Sequence, residues 1–301
     1  MNKKVLIFLL SLAAIAVFTA CVGEEGDTLR EGDTSRDESS ITIISTNVSG
    51  AEAVPVAFSV YEQIMALIEP GFGAQTGYDA DFVMRMSADT LMSGMPMGTT
   101  TSVTTGNMRA NIDGNRMQSA TVMNTSIAMD MYGEVENMDM TMEMYMEMDG
   151  TNITFFHMLV DGEIFDDPMI TEMMDGLPDM NIPDFTMDAV TSANVAEVGN
   201  ETHVSISLDA AHLSDFVDDI VAGMMGAMMG MDMEMDVQKF DMVFIVDNAG
   251  NLARLIMDMD ITVDVEMDLG VEVLELTMIM SSSTEFAYNH IGPVDIVMPG
   301  R

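Results

Sequence analysis

Strict alternation of apolar and charged residues constrains this chain more than any other feature of its sequence. Between Ala253 and Leu269 every odd position is apolar, whereas most even positions carry aspartate, glutamate or arginine. A period of two is the side-chain repeat of a β-strand, so this segment predicts a strand with one apolar face and one face in water. At about 3.4 Å per residue such a strand reaches over roughly 55 Å, which requires curvature or bulges in one domain.

The same alternation recurs with methionine as the apolar residue. Six methionines occupy every second position of Met138–Met148, and acidic residues such as Asp139 and Glu143 stand between them. One interpretation is a row of soft-metal ligands, because Cu(I) accepts thioethers. The other is the apolar face of a strand, which suits the spread of 38 methionines along the whole chain. Same-face neighbours about 6.7 Å apart do not close a coordination shell, so the apolar face is favoured and Cu(I) binding remains an alternative.

Further segments of period two fill most of the chain, separated by turn dipeptides such as Asp113-Gly114. They predict two antiparallel meanders. Shifts in the apolar phase predict bulges near Val237–Phe240 and Val273–Leu274. The predicted strands are residues 78–91, 99–112, 116–131, 137–148, 153–164, 193–198, 203–208, 231–246, 252–269 and 271–288.

Two segments have helical periodicity instead. Val54–Ile68 carries apolar residues at helical spacing between an early proline and Pro70-Gly71. A second stripe predicts a helix from Ala210 to about Met229. Residues 167–180, with two prolines, predict an interruption of the first meander with a short helix. The predicted fold class is α+β, with a large curved antiparallel sheet that wraps one or two amphipathic helices.

The N-terminus resembles a bacterial lipoprotein signal. Lys3 and Lys4 precede an apolar run, and small residues then lead to Cys21, the single cysteine of the chain. We therefore predict a signal peptide over residues 1–20, lipidation of Cys21, an acidic flexible tether over residues 21–53 and one β-rich domain over residues 54–301. These features imply an extracytoplasmic protein that is anchored to a membrane by lipid.

Composition excludes several functional classes. A formal net charge of −40 argues against nucleic acid as a partner and favours a soluble monomer. One cysteine leaves no disulfide and no cysteine-based zinc site. The four histidines share no metal-ligand spacing, and the motifs of hydrolases and phosphate-binding loops are absent from the sequence. We expect neither an enzyme nor a bound cofactor or metal.

The order of these parts resembles the lipoproteins with a LolA/LolB/LppX-type half-barrel. The lipobox at Cys21, the helix of Val54–Ile68, the long meander, the mid-chain helix and the final Ile296-Val297-Met298-Pro299 carry the resemblance, which covers about residues 54–299. In that fold a curved sheet and its helices enclose an apolar cavity, and characterised relatives carry lipids or lipoprotein acyl chains. The resemblance therefore implies a binding or carrier protein for an apolar ligand.

A cavity for such a ligand would be lined by apolar residues of two strands and of the mid-chain helix. The predicted lining residues are Met138, Met140, Met142, Met144, Met146, Met257, Met259, Ile261, Val263 and Val265 on the strands, and Phe216, Ile220, Met224 and Met228 on the helix. The alternatives are a structural or adhesive surface lipoprotein whose methionines form only a core, and a methionine-rich Cu(I)-binding protein.

Overall fold

One large antiparallel sheet dominates the computed structural model, which describes residues 40–68, 75–114, 116–131, 134–149, 152–164, 186–211, 232–268 and 273–299. Twelve described strands form this sheet. They are β1 (Val48–Ser49), β2 (Gln75–Met92), β3 (Met95–Asp113), β4 (Arg116–Met131), β5 (Glu134–Asp149), β6 (Asn152–Val160), β7 (Glu163–Ile164), β8 (Val190–Val198), β9 (Glu201–Leu208), β10 (Asp232–Asp247), β11 (Leu252–Asp268) and β12 (Val273–Ile291).

The two predicted meanders are joined edge to edge. The strands follow the order β1-β8-β9-β10-β11-β12-β2-β3-β4-β5-β6-β7. The junction is the long pairing of β12 with β2, in which Phe286 lies opposite Phe82. Since the last strand thus completes the sheet beside the first long one, the whole sheet forms one continuous surface.

The helix α1 (Val54–Ile68) packs on one face of this sheet, which we call the inner face. It contacts β8, β9 and β2, and the Tyr61 ring lies 6.2 Å from the Phe244 ring of β10. Fifteen residues rise by about 22 Å, and the six strands from β8 to β2 span about 24 Å. The helix length therefore matches a crossing of this half of the sheet. Two short 3-10 turns, Gly50–Glu52 and Met187–Ala189, are also described, and Ala210 and Ala211 are helical.

A row of directly paired residues shows how the inner face is built. Each member lies opposite the next across a strand pairing, and nearly all are apolar. From β1 to β6 the row reads Val48, Val195, Val204, Phe244, Leu255, Phe286, Phe82, Gly106, Met123, Met142 and Val160. Burial of such rows removes apolar surface from water, and this is the main stabilising contribution to the fold.

Gly106 is the one member of the row without a side chain, and the space is already occupied. A Cβ atom there would lie 2.8 Å from two ring carbons of Phe82 and would also collide with the backbone carbonyl oxygen of Val122. The Phe82 ring, which is 5% exposed, therefore covers Gly106 from the neighbouring strand. The glycine is required by this close approach.

Replacement of Gly106 by alanine should lower the free energy of unfolding by about 1–3 kcal/mol, because the backbone carbonyl cannot move away as a flexible side chain could. Urea unfolding followed by circular dichroism measures the difference. The control is Thr105→Ala at the exposed neighbouring position, for which we expect a change below about 0.5 kcal/mol. Equal effects of the two substitutions would contradict the close packing of Phe82 on Gly106.

Most strand predictions agree with the structure, and two details are wrong. The helix of Val54–Ile68 has the predicted bounds, and the register shift between Val237 and Lys239 confirms the first predicted bulge. The segment 153–164 is two strands and not one, because Asp161, with a positive φ of 54°, begins a turn. Near Val273–Leu274 the pairing of β11 with β12 runs without a shift, so the second predicted bulge is wrong.

The folded part begins earlier than the predicted boundary at residue 53. Ile41 is buried, and its backbone N–H donates a 2.7 Å hydrogen bond to the carbonyl oxygen of Gly250. The Gln63 side chain of α1 bonds both backbone groups of Thr42, and β1 pairs with β8. Residues 40–53 therefore belong to the folded body of the protein. Their polar composition predicted a flexible segment, but the burial of Ile41 and the pairing of β1 offset the entropy cost of ordering it.

Several predictions fall outside the described residues. These are the signal peptide, Cys21, the tether up to residue 39, the segment 167–180 and the mid-chain helix beyond Ala211. Within the described ranges, no helix is long and apolar enough to cross a lipid bilayer.

Candidate apolar-ligand site

The predicted lining residues of β5 and β11 lie on the inner face. On β11, the five residues from Met257 to Val265 in the predicted set are all at most 5% exposed. On β5, Met140 and Met142 are buried at 8% and 1% exposure, whereas Met138, Met144 and Met146 are half-buried. The four predicted helix residues Phe216, Ile220, Met224 and Met228 lie outside the described residues.

The two predicted strands are not neighbours. Between β11 and β5 the sheet contains β12, β2, β3 and β4, so the two rows lie about 24 Å apart along the sheet surface. Side chains of the intervening strands therefore make up the middle of the inner face. Any ligand that touches both predicted rows must also touch these strands.

Sequence reasoning missed the inner-face residues of these strands. Met84, Met108 and Met123 are all buried. Met123 lies directly opposite Met142, and on the far side of β5 Met158 lies opposite Met144. A signal for Met123 was available in β4, where Met123, Thr125 and Ile127 alternate with Asn124 and Ser126.

The helix α1 does not cover the methionine-rich half of the inner face, which is formed by β3–β6. Its contacts centre on β8, β9 and β2, whereas Met123, Met142 and Met158 belong to β4, β5 and β6. Those three side chains are nevertheless at most 2% exposed. Their burial is therefore not explained by the described contacts of α1.

The basic side chains of the described strands all lie on the opposite, outer face. Register places Arg85, Arg109, Arg116, Lys239 and Arg254 there, opposite other outer-face residues. Arg254, for example, bonds Glu201 and Glu285 at 3.1 and 3.4 Å. The inner face is thereby left without a positive charge in the described strands.

Hydrogen bonds organise the acidic outer face. The amides of Asn107 and Asn289 donate to Asp81 at 3.0 and 3.1 Å, and these bonds lower the pKa of its carboxyl group. On β5, partial burial raises the pKa of the Tyr145 hydroxyl, and the neighbouring Glu143 carboxylate raises it further. These contacts pair polar side chains of neighbouring strands with one another on the outer face.

Glu147 is a buried exception on that face. It is 5% exposed, and both Arg116 and Gln118 donate to its Oε2 at 2.8 Å. A buried carboxylate requires such partners, because an unpaired charge in a low-dielectric setting is costly. The arrangement satisfies the charge and has the form of a structural cluster.

A shallow open depression of about 310 Å³ lies beside the turn of β6 and β7. Its carboxylates already have partners: Asp139 accepts from Ser126 at 2.6 Å, and Asp161 accepts from the backbone N–H of Thr141 at 3.0 Å. Across the described part of the chain, no group of three or more histidine, cysteine or acidic side chains is arranged to hold a metal ion. Apart from Met140, none of the predicted apolar lining residues borders this depression.

Comparison with known proteins assigns no family. The sequence matches no family model, and no curated protein is significantly similar to it. The resemblance to LolA-like lipoproteins accordingly remains a prediction from the order of the elements.

Proposed function

We propose that this protein is a lipid-anchored extracytoplasmic carrier that binds an apolar ligand, such as an acyl chain, on the inner face of a half-barrel. The lipid anchor would be attached to Cys21. If so, the Cys21→Ser variant should appear in the soluble fraction of the cell and not in the membrane fraction. The ligand would occupy the methionine-rich half of the face, on β3–β6.

The observation that carries the proposal is the one-sided chemistry of the sheet. Methionine recurs along the inner face of β5 and on the strands beside it, while the basic residues and most acidic residues of these strands lie on the outer face. A core alone requires only apolar volume. Thioether side chains are flexible and polarisable, and they suit a surface that adapts to different guests.

Half-buried methionines support the position of the ligand. Met144 and Met146 remain partly exposed, although they lie on the same strand face as the fully buried Met142. Their directly opposed neighbours are Met158 and Phe156. This end of the inner face thus offers accessible apolar surface that is continuous with the core.

A single polar substitution tests the site. Met144→Gln should weaken binding of a fluorescent probe, the methyl ester of cis-parinaric acid, by about tenfold. The probe would remove water from the glutamine amide without offering it a hydrogen bond in exchange. Glu143→Gln is the matched control on the outer face and should leave the affinity unchanged. Failure of the wild-type protein to bind the ester, or equal affinities of the two variants, would reject the proposed site.

Opposed methionine pairs favour a second candidate function, the binding of Cu(I). Met123 faces Met142 and Met144 faces Met158 across adjacent strands, where Cβ atoms are about 4.5–5.5 Å apart. Two such pairs could supply thioether ligands to a soft ion. Competition titration with a chromophoric Cu(I) chelator tests this candidate, and binding weaker than about micromolar would remove it.

A further inference from the structure

A hydroxyl group without a partner lies in the middle of the inner face. Thr284 of β12 is 2% exposed, and its Oγ1 atom has no hydrogen-bond partner among the described residues. Its directly opposed neighbours are Met257 on β11 and Met84 on β2. An unmade hydrogen bond at a buried hydroxyl is costly, so the group calls for a function.

Two further buried hydroxyls lie in the same cross-strand row. Thr104 on β3 and Thr125 on β4 are 1% and 3% exposed, and their Oγ1 atoms are 2.9 Å apart. One of the two hydroxyls donates to the other, which leaves the second hydrogen free for another acceptor. Thr104 follows Met84 in the row, so it lies about 10 Å from Thr284 along the sheet.

The polarity of β3 is inverted at this place. Ser102 and Thr104 are buried on the inner face, while Val103 between them is 43% exposed on the outer face. Hydrophobic burial alone would place the valine inside and the hydroxyls in water. Hydroxyl groups on the inner face therefore serve something other than the stability of the core.

The charge of the inner face limits what these hydroxyls can receive. Among the described strands, the lysine, arginine and histidine residues all lie on the outer face by register. A buried carboxylate or phosphate without a cation bears a large desolvation cost. An uncharged carbonyl oxygen accepts a hydrogen bond without that cost.

We propose that Thr284 forms a polar subsite for an uncharged acceptor group of the ligand, an ester or an amide, and that the Thr104–Thr125 pair can receive a second acceptor group of the same kind. The inference rests on the proposed function and names its ligand class: a long-chain amphiphile with a neutral head, in preference to a free fatty acid. Thr284 donates to the carbonyl oxygen of the head, and the chain extends from β12 to the methionines of β4, β5 and β6.

Two probes with the same chain separate the ligand classes. We expect cis-parinaric methyl ester to bind at least tenfold more tightly than cis-parinaric acid at pH 8, and the gap to narrow as falling pH protonates the acid. Thr284→Val should weaken ester binding about fivefold, the equivalent of one hydrogen bond. Thr105→Val, on the exposed outer face of β3, is the matched control and should change nothing.

Thr284→Val removes a hydroxyl but keeps the side-chain shape, so the variant should fold and melt at the same or a higher temperature than wild type. Equal binding of ester and acid at pH 8, or ester binding that is unchanged in Thr284→Val, would overturn the subsite while the carrier function stands. Absence of ester binding to the wild-type protein would overturn the carrier function and the subsite together.

Discussion

Phe244→Ala should lower the free energy of unfolding by about 3–5 kcal/mol, because it deletes a ring from the centre of the packed half of the sheet. Phe244 is 1% exposed, lies opposite Val204 and Leu255, and contacts the Tyr61 ring of α1. The cavity that remains is bounded by two strands and the helix, and such a site relaxes little. Urea unfolding by circular dichroism measures the loss.

The control for this substitution is Ile279→Ala on β12. Ile279 is 46% exposed and lies on the outer face, so its loss should cost less than about 0.5 kcal/mol. A loss below 1 kcal/mol for Phe244→Ala would show that α1 does not pack on the inner face as described.

Met142→Asn should lower the free energy of unfolding by about 4 kcal/mol. The substitution removes a side chain that is 1% exposed and puts an amide without designed partners between Met123 and Val160. The lost apolar contacts and the buried amide both destabilise the folded state. Chemical unfolding of purified variants measures the difference.

Thr141→Asn provides the comparison at the next position of the same strand. Thr141 is exposed on the outer face, where its hydroxyl donates to Asn124 at 2.9 Å, and we expect a cost below about 1 kcal/mol. If Met142→Asn costs no more than Thr141→Asn, the methionine row of β5 is not a buried face.

Sequence patterns predicted the elements well where one face of a strand is charged. β11 shows this, because its aspartates and glutamates mark the outer face and leave the apolar positions unambiguous. The same rule located β5, whereas α1 was located by the helical spacing of its apolar residues. Local periodicity suffices in these cases because burial on one side and solvent on the other impose the period directly.

The pattern predicted β3 as a strand but did not identify its buried face, because both faces carry small polar residues. In β3 the run Thr99–Thr105 has no clear alternation, and its buried positions are hydroxyls while Val103 is exposed. The hydroxyls of Thr104 and Thr284 were therefore not predicted as part of the site. The pairing of β12 with β2 could not be predicted from the sequence either, because the register between strands that are distant in the chain depends on tertiary packing.

Composition misplaced the start of the folded body in a related way. The polar stretch before Val54 suggested a tether, yet Ile41 inserts into the core and β1 pairs with β8. A few apolar anchors within a polar segment are enough to order it once the rest of the sheet offers a binding edge. Average polarity does not report such anchors.

The most direct test of the carrier function is the cargo of the protein itself. The full chain is purified from a native-like host in mild detergent and extracted with organic solvent. The extract is analysed by mass spectrometry and compared with an extract of the Met144→Gln variant prepared in parallel. We expect a near-stoichiometric long-chain ester or amide in the wild-type extract and markedly less in the variant. Extracts without stoichiometric lipid, or with equal amounts from both proteins, would contradict it.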